Sequence, residues 1–139
     1  MKLLGSSRSP YVQKCRIALA EKGNPFTYEE VAPTHDEVMA GNPLGKIPTL
    51  IRDDGRGLYD SSVIVEYADG CDGKPTLIPT DFEGRIEMRR WEALGDGILD
   101  SLVAIAHDKR GAPEQQRGAE YIARFQRKID AGLAAMEKD

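Results

Sequence analysis

Cysteine is scarce. The two present, Cys15 and Cys71, are far apart and outside any metal-ligand spacing, which excludes a disulfide framework and a cysteine-built metal site. The chain therefore reads as cytosolic, with reduced thiols. An excess of basic charge is also lacking. Nineteen Lys and Arg against 23 Asp and Glu leave a net charge of −4, with no long basic run, which argues against a dedicated nucleic-acid binder. No apolar stretch is long enough to span a bilayer, and Met1-Lys2-Leu3-Leu4 meets glycine and serine too soon for a signal peptide. There is no internal repeat and no low-complexity tract. What is there is an ordinary soluble composition, 40% hydrophobic and 30% charged over 139 residues, enough for one domain or two small ones.

The first half alternates between strand and helix signals. Leu3-Leu4 reads as a short strand and Gly5-Ser6-Ser7 as a turn. A helix over Pro10–Lys22 follows, with Val12, Cys15 and Leu19 at helical spacing and Gly23 and Pro25 as stop signals. Phe26–Val31 is rich in aromatic and β-branched residues and reads as a second strand. Strand, crossover helix and strand form a βαβ unit, so the first two strands are expected to be parallel. A short helix ending near Gly41 would be capped by Thr34 or Asp36. Lys46–Ile51 reads as a strand with Pro48 at its entry, because proline cannot donate to a ladder. A hairpin turn over Asp53–Gly57 leads to Leu58-Tyr59. Asp60 or Ser61 then caps a helix over Ser61–Asp69, whose buried face is predicted to be Val63, Ile64, Tyr67 and Ala68.

Gly70–Pro79, with its glycines and prolines, reads as a linker. Beyond it the period changes and no strand signal remains. Asp81 caps a long helix reaching Arg110, with Trp91, Leu94, Ile98, Leu102 and Ile105 at steps of three and four. After Gly111-Ala112-Pro113 a second long helix repeats the pattern with Ile122, Phe125, Ile129, Leu133 and Met136. Matching stripes across a short turn predict an antiparallel αα-hairpin. A second apolar line on the longer helix, Met88, Leu99, Val103 and Ala106, predicts burial on two sides, one of them by a symmetry mate. Gly95 and Gly97 each cost about 1 kcal/mol against alanine in a helix interior, which close packing there would offset.

The chemistry concentrates at Ser9-Pro10. Serine is a favoured N-cap and proline a favoured first helical residue. One reading of Ser9 is a cap and nothing more. The other is a hydroxyl donor beside the positive end of a helix, where an anion, including a thiolate, is stabilised. The turn alone leaves both open.

Three motifs, taken together and in order, resemble the glutathione transferase family, and the likeness covers the whole chain. They are Ser9-Pro10-Tyr11-Val12, Asn42-Pro43-Leu44-Gly45-Lys46-Ile47-Pro48-Thr49-Leu50 and Asp60-Ser61-Ser62-Val63-Ile64. The resemblance implies an α/β thioredoxin-like N-terminal domain of βαβ-αββα order over residues 1–76. An all-α C-terminal domain over 80–139 follows, here with only its first two long helices. The first motif lies where thioredoxin-fold proteins keep Cys-Pro-Tyr-Cys. With Ser9 and Val12 at the two thiol positions, dithiol exchange is excluded there.

By resemblance, glutathione is the co-substrate and no metal is required. Ser9 would be catalytic, stabilising the glutathione thiolate for attack on a small hydrophobic electrophile. A cis Pro48 would turn the Ile47 backbone toward the cysteinyl part of the tripeptide. Ser61 would hold the γ-glutamyl carboxylate, and Asp60 would lie near the γ-glutamyl amine. The implied assembly is a cytoplasmic homodimer with a role in detoxification, binding neither nucleic acid nor membrane. Two alternatives belong to the same resemblance: a non-catalytic interaction domain, and a glutathione-dependent isomerase or dehalogenase. His35 is expected at the surface, and Arg8 beside the electrophile site.

Overall fold

The structure is a computed structural model that describes residues 1–71 and 75–138. Of the predicted linker, residues 72–74 lie outside the described residues, as does the final residue of the chain. The described chain forms two compact units, divided between Pro79 and Thr80.

In the first unit the elements run β1 (Lys2–Gly5), α1 (Pro10–Glu21), β2 (Thr27–Glu30), α2 (Asp36–Gly41), β3 (Thr49–Ile51), β4 (Gly57–Tyr59) and α3 (Ser61–Gly70). The four strands form one sheet in the order β2-β1-β3-β4. β1 pairs with β2 in parallel, as the βαβ reading expects, and β1–β3 and β3–β4 are antiparallel. Leu3 and Leu4 are both fully buried. Successive side chains of a strand point to opposite faces, so β1 is covered on both sides, which is why it reads as a plain apolar pair rather than an alternation. Leu3 and its cross-strand partner Leu50 join Val12, Cys15 and Leu19 of α1 and Ile64 and Ala68 of α3 in one core. α2 packs against β3 and β4.

Two expectations for this unit are corrected. The cap of α2 is His35, whose Nδ1 accepts from the Glu37 N–H at 3.3 Å, not Thr34 or Asp36. On α3, Val63 is 47% exposed. The stripe that meets the core is Ser61, Ile64 and Ala68, at steps of three and four, and Val63 lies one residue off it, about 100° round the helix.

The end of α3 is tied to α1 by a buried ion pair. Lys22 Nζ lies 3.0 Å from Asp69 Oδ1, with side chains 1% and 11% exposed. Lys22 also donates to the Pro75 carbonyl, and Asp69 accepts from the N–H groups of Leu77 and Ile78. Burial pushes the Asp69 carboxyl up, and the Leu77 N–H, the Lys22 ammonium and the Ile78 N–H outweigh it, so the group titrates below its usual range.

In the second unit α4 (Phe82–Arg110) and α5 (Ala119–Met136) pack on each other, joined through a 3₁₀ turn at Pro113–Gln115. Asp81 caps α4 as predicted, its Oδ1 accepting from Gly84 N at 2.7 Å. The core holds Ile98, Ile105 and Ile129 with Leu94, Ile122, Phe125 and Met136 against it. Leu102 and Leu133, expected in the stripes, are 46% and 49% exposed. The places facing the partner helix are taken by Ser101 and Gly132, both buried. Ser101 is hidden at little cost because its hydroxyl donates to the Gly97 carbonyl one turn back, at 2.9 Å. A pattern scored by apolarity passes over both residues. Within this unit a close approach occurs at Gly132, where a Cβ would lie 2.7 Å from Ile98 Cγ1. Nothing among the described residues lies within 4 Å of a Cβ built on Gly97.

Candidate functional site

The register of the sheet gathers the sequence-predicted residues. Leu4 pairs with Thr49, and Thr49 pairs with Tyr59. One step beyond this row lie Gly5 on β1, Pro48 before β3 and Asp60 after β4. The turn to Ser9, the Ile47-Pro48 loop and the start of α3 at Ser61 therefore leave from the same edge of three neighbouring strands. At about 4.8 Å per strand spacing these three strands cover roughly 10 Å. Glu30, paired with Gly5, places the end of β2 at that edge as well.

Ser9 is half-buried and has extended backbone, φ −83° and ψ 121°. Its Oγ accepts from Val12 N at 3.4 Å, a long capping bond. An oxygen that accepts still has its proton to donate, so the cap reading and the donor reading are compatible. The Ile47–Pro48 peptide is cis, as the resemblance implies. Pro48 is buried and Ile47 is packed against the core. Asp60 caps α3, its Oδ1 accepting from Ser62 N at 2.9 Å, with a left-handed φ of 68°. Such backbone in a non-glycine residue costs about 1–3 kcal/mol and persists where its surroundings enforce it. Ser61 is buried, and its carbonyl accepts from Cys15 Sγ on α1 at 3.7 Å. Lys14 Nζ reaches Ser62 Oγ at 3.3 Å. The start of α3 is thus tied to the middle of α1 through side chains of α1. Neither helix carries an acidic residue in its first turn; α1 is capped by the neutral Ser9, which leaves the positive end of its dipole for an anion, whereas the Asp60 carboxylate already stands at the start of α3. Arg8 is exposed, and His35 is exposed and engaged as the cap of α2.

Gly5 closes the gap between the first turn and the proline loop. A Cβ there would lie 2.4 Å from Val12 Cγ2 and 3.5 Å from Ile47 Cβ. Gly5→Ala is therefore expected to cost about 1–3 kcal/mol by overpacking, read as a lower urea midpoint. A midpoint equal to the parent's would mean that Val12 moves aside freely.

A second group at this edge escapes a motif reading. Ser7 N donates to both carboxylate oxygens of Glu30, at 3.0 and 2.8 Å. The Tyr28 hydroxyl makes a short hydrogen bond to Glu30 Oε2 and also lies 3.1 Å from the Gly5 carbonyl. The Tyr28 hydroxyl, the Ser7 N–H and the Ser6 hydroxyl hold the Glu30 carboxyl down at about 2, against the upward push of desolvation. Burial, then the hydrogen bond and charge of Glu30, push the Tyr28 phenol up to about 12. Arg16 of α1 lies over the Tyr28 ring, 4.5 Å from its centroid. The sequence signal was the two-residue step from Tyr28 to Glu30, which puts both on one face of β2.

Comparison with known proteins identifies the family. The profile of the glutathione S-transferase N-terminal domain matches residues 8–70. The uncharacterized GST-like protein YibF of Escherichia coli K12 is 36% identical over 140 residues, covering 99% of this chain and 68% of its own. The chain belongs to the glutathione S-transferase family. Crystal structures agree with the fold. A glutathione S-transferase from Methylobacillus flagellatus with GSH bound superposes with a TM-score of 0.92 at 43% identity, over 99% of this chain and 69% of its own. A family member from Pseudomonas fluorescens Pf-5 with bound glutathione gives 0.89 at 33% identity, over 99% and 70%. The first unit is the thioredoxin-like domain of this family and the second the start of its helical domain. The chain spans about two thirds of each of these three relatives. Among the described residues no group of acidic, histidine or cysteine side chains is arranged to hold a metal ion, and no helix is long and apolar enough to cross a membrane.

Proposed function

We propose that this chain binds glutathione at the edge formed by β1, β3 and β4 and activates its thiol as a glutathione transferase. The observation that carries the reading is the common edge itself, with two helix N-termini opening onto it. A tripeptide extended at 3.3–3.6 Å per residue is about 10 Å long, the width of three strands. The sulfur would sit at Ser9 and the start of α1, the cysteinyl backbone beside Ile47 and Pro48, and the γ-glutamyl carboxylate at Ser61 and the start of α3, with Asp60 near the amine.

The energetics suffice. A free thiol with a pKa of about 8.5 is only a few per cent thiolate at neutral pH. Lowering it by two units takes about 2.7 kcal/mol of preference for the anion. A hydrogen bond to a charged group gives about 1.5–3 kcal/mol, and a helix N-terminus adds about 0.3–1 kcal/mol. Ser9 with the α1 dipole therefore accounts for the shift. The thiol proton leaves to solvent. The sulfur then forms a bond to an electrophilic carbon, displacing a leaving group such as halide, or adding to an activated double bond that takes a proton from water. The assembly is a cytoplasmic homodimer with a detoxifying role, residues 1–76 holding glutathione and the helical residues 80–139 facing the symmetry mate. The half-buried apolar line of Met88, Leu99, Val103 and Ala106 supports that face.

The test is retention on immobilised glutathione, elution with the free tripeptide and conjugation of an aryl halide. Retention with turnover is expected. Passage through the column without turnover would overturn the reading. Retention without conjugation would leave a binding domain and remove the transferase assignment.

A further inference from the structure

We propose that Glu30, at the end of β2, is a positioning residue that sets the aim of the Ser9 hydroxyl by holding the turn between β1 and α1. The inference rests on the reading of Ser9 as the hydrogen-bond donor to the thiolate.

The turn is short and partly exposed, with Ser7 and Arg8 facing water. Inside, it is closed by Ser9 N donating to the Ser6 carbonyl at 2.9 Å. Ser9 Oγ itself is held to α1 by a contact of 3.4 Å, too weak to fix a rotamer, so its direction follows the backbone of the turn. Two side chains grip that backbone from outside at Ser7. Gln13 Nε2 donates to its carbonyl at 2.7 Å, and both Glu30 oxygens accept from its N–H at 3.0 and 2.8 Å. The Glu30 grip is the stronger, because a charged acceptor roughly doubles a hydrogen bond. It is also rigid. Glu30 ends a strand whose next residue is tied back, Val31 N donating to the Gly5 carbonyl at 2.9 Å. Its carboxylate is aimed by the Tyr28 hydroxyl, and the Tyr28 ring is covered by Arg16. The chain of contacts runs from strand to carboxylate to turn to hydroxyl. Misplacement of a reacting group by about 1 Å costs up to about a hundredfold in rate, so a tie at Ser7 is felt at Ser9.

Charge and position act in opposite senses here, which makes the inference testable. A carboxylate near a thiolate disfavours it, so losing the charge alone would lower the thiol pKa. Losing the grip would raise it. The measurement is the ultraviolet thiolate absorbance of saturating glutathione, titrated with pH, in the parent chain, Ser9→Ala, Glu30→Ala, Glu30→Gln and the Ser9→Ala/Glu30→Ala double variant. Glu30→Ala is expected to raise the bound thiol pKa by about one unit, roughly tenfold less thiolate near neutrality. Its glutathione Kd is expected to stay within about twofold of the parent. Glu30→Gln keeps an acceptor for the Ser7 N–H and loses the charge, so it is expected to leave the pKa at or slightly below the parent value. In the Ser9→Ala background, Glu30→Ala is expected to give no rise, only the small fall that follows from losing the charge, because the positional effect passes through Ser9.

Equal increments in both backgrounds, or a fall or no change in the pKa with Glu30→Ala alone, would each overturn the inference. If Ser9→Ala raises the pKa and Glu30→Ala does not, this inference alone fails. If Ser9→Ala leaves the pKa unmoved, the reading of Ser9 fails and takes this one with it. Should Glu30→Ala not fold by circular dichroism, Tyr28→Phe loosens the same carboxylate with its Ser7 bonds kept. It is expected to raise the pKa in the same direction by less, and an unchanged value there counts against the inference.

Discussion

Ser9→Ala is expected to lower kcat/KM for conjugation about ten- to hundredfold, while the glutathione Kd changes little. The size follows from the single bond removed. A hydrogen bond to a charged group contributes about 1.5–3 kcal/mol, and each 1.36 kcal/mol is a factor of ten. The split between kcat and Kd follows from where that bond acts. In the proposed function Ser9 favours the anion of the sulfur, whereas contacts along β3 and α3 would hold the rest of the tripeptide. Loss of the long capping contact with Val12 N adds a cost of about 0.5–2 kcal/mol to stability, so the comparison is made well below the melting temperature of the variant. Ser9→Thr keeps both cap and donor and is expected to retain activity. A Ser9→Ala chain that conjugates at the parent rate would remove Ser9 from the chemistry, and a chain that loses glutathione altogether would make it an anchor rather than an activator.

The largest effect on stability is expected at Asp69→Ala. Lys22 is 1% exposed, and Asp69 lies 3.0 Å from it. Breaking such a pair by removing one member leaves a charge in the interior and costs about 3–5 kcal/mol. Asp69 also satisfies the N–H groups of Leu77 and Ile78, so the truncation loosens the segment after α3 as well. A drop in Tm of more than about 10 °C is expected. The double variant Lys22→Met/Asp69→Leu is expected to lose less than Asp69→Ala, since apolar side chains of similar size replace a buried pair at little cost. A loss below 1 kcal/mol in Asp69→Ala would mean that the ammonium finds water or another partner. The pH sense is fixed by the direction of the shift. The Asp69 carboxyl is held below its usual range in the fold, so its contribution is complete above about pH 4 and is lost as pH falls below that.

What could be read from the chain in advance is local. Ser9-Pro10 and Asp81 announce helix starts, Asp60-Ser61 another, and each is found where the residues put it. The αα-hairpin and the parallel pairing of the first two strands follow from period and crossover geometry. The misses share a cause. Leu102 and Leu133 fit an apolar period, yet Ser101 and Gly132 fill the contact, because a serine that bonds its own helix and a glycine that admits Ile98 carry no apolar signal. Val63 fits the α3 stripe by type and misses it by one residue of rotation. The row Leu4, Thr49 and Tyr59, which gathers the site, is a pairing across residues distant in sequence. The same is true of Ser7 with Glu30 and of Lys22 with Asp69. No window of neighbouring residues holds either partner of such a pair together with the other.

The start of α1, with the Ser9 hydroxyl, is expected to keep the sulfur of bound glutathione ionised at neutral pH. Titration of that thiol in the saturated complex of the unaltered chain decides the matter. A midpoint about two units below the 8.5 of a free thiol is the expected result, and a midpoint at or above the free value would contradict it.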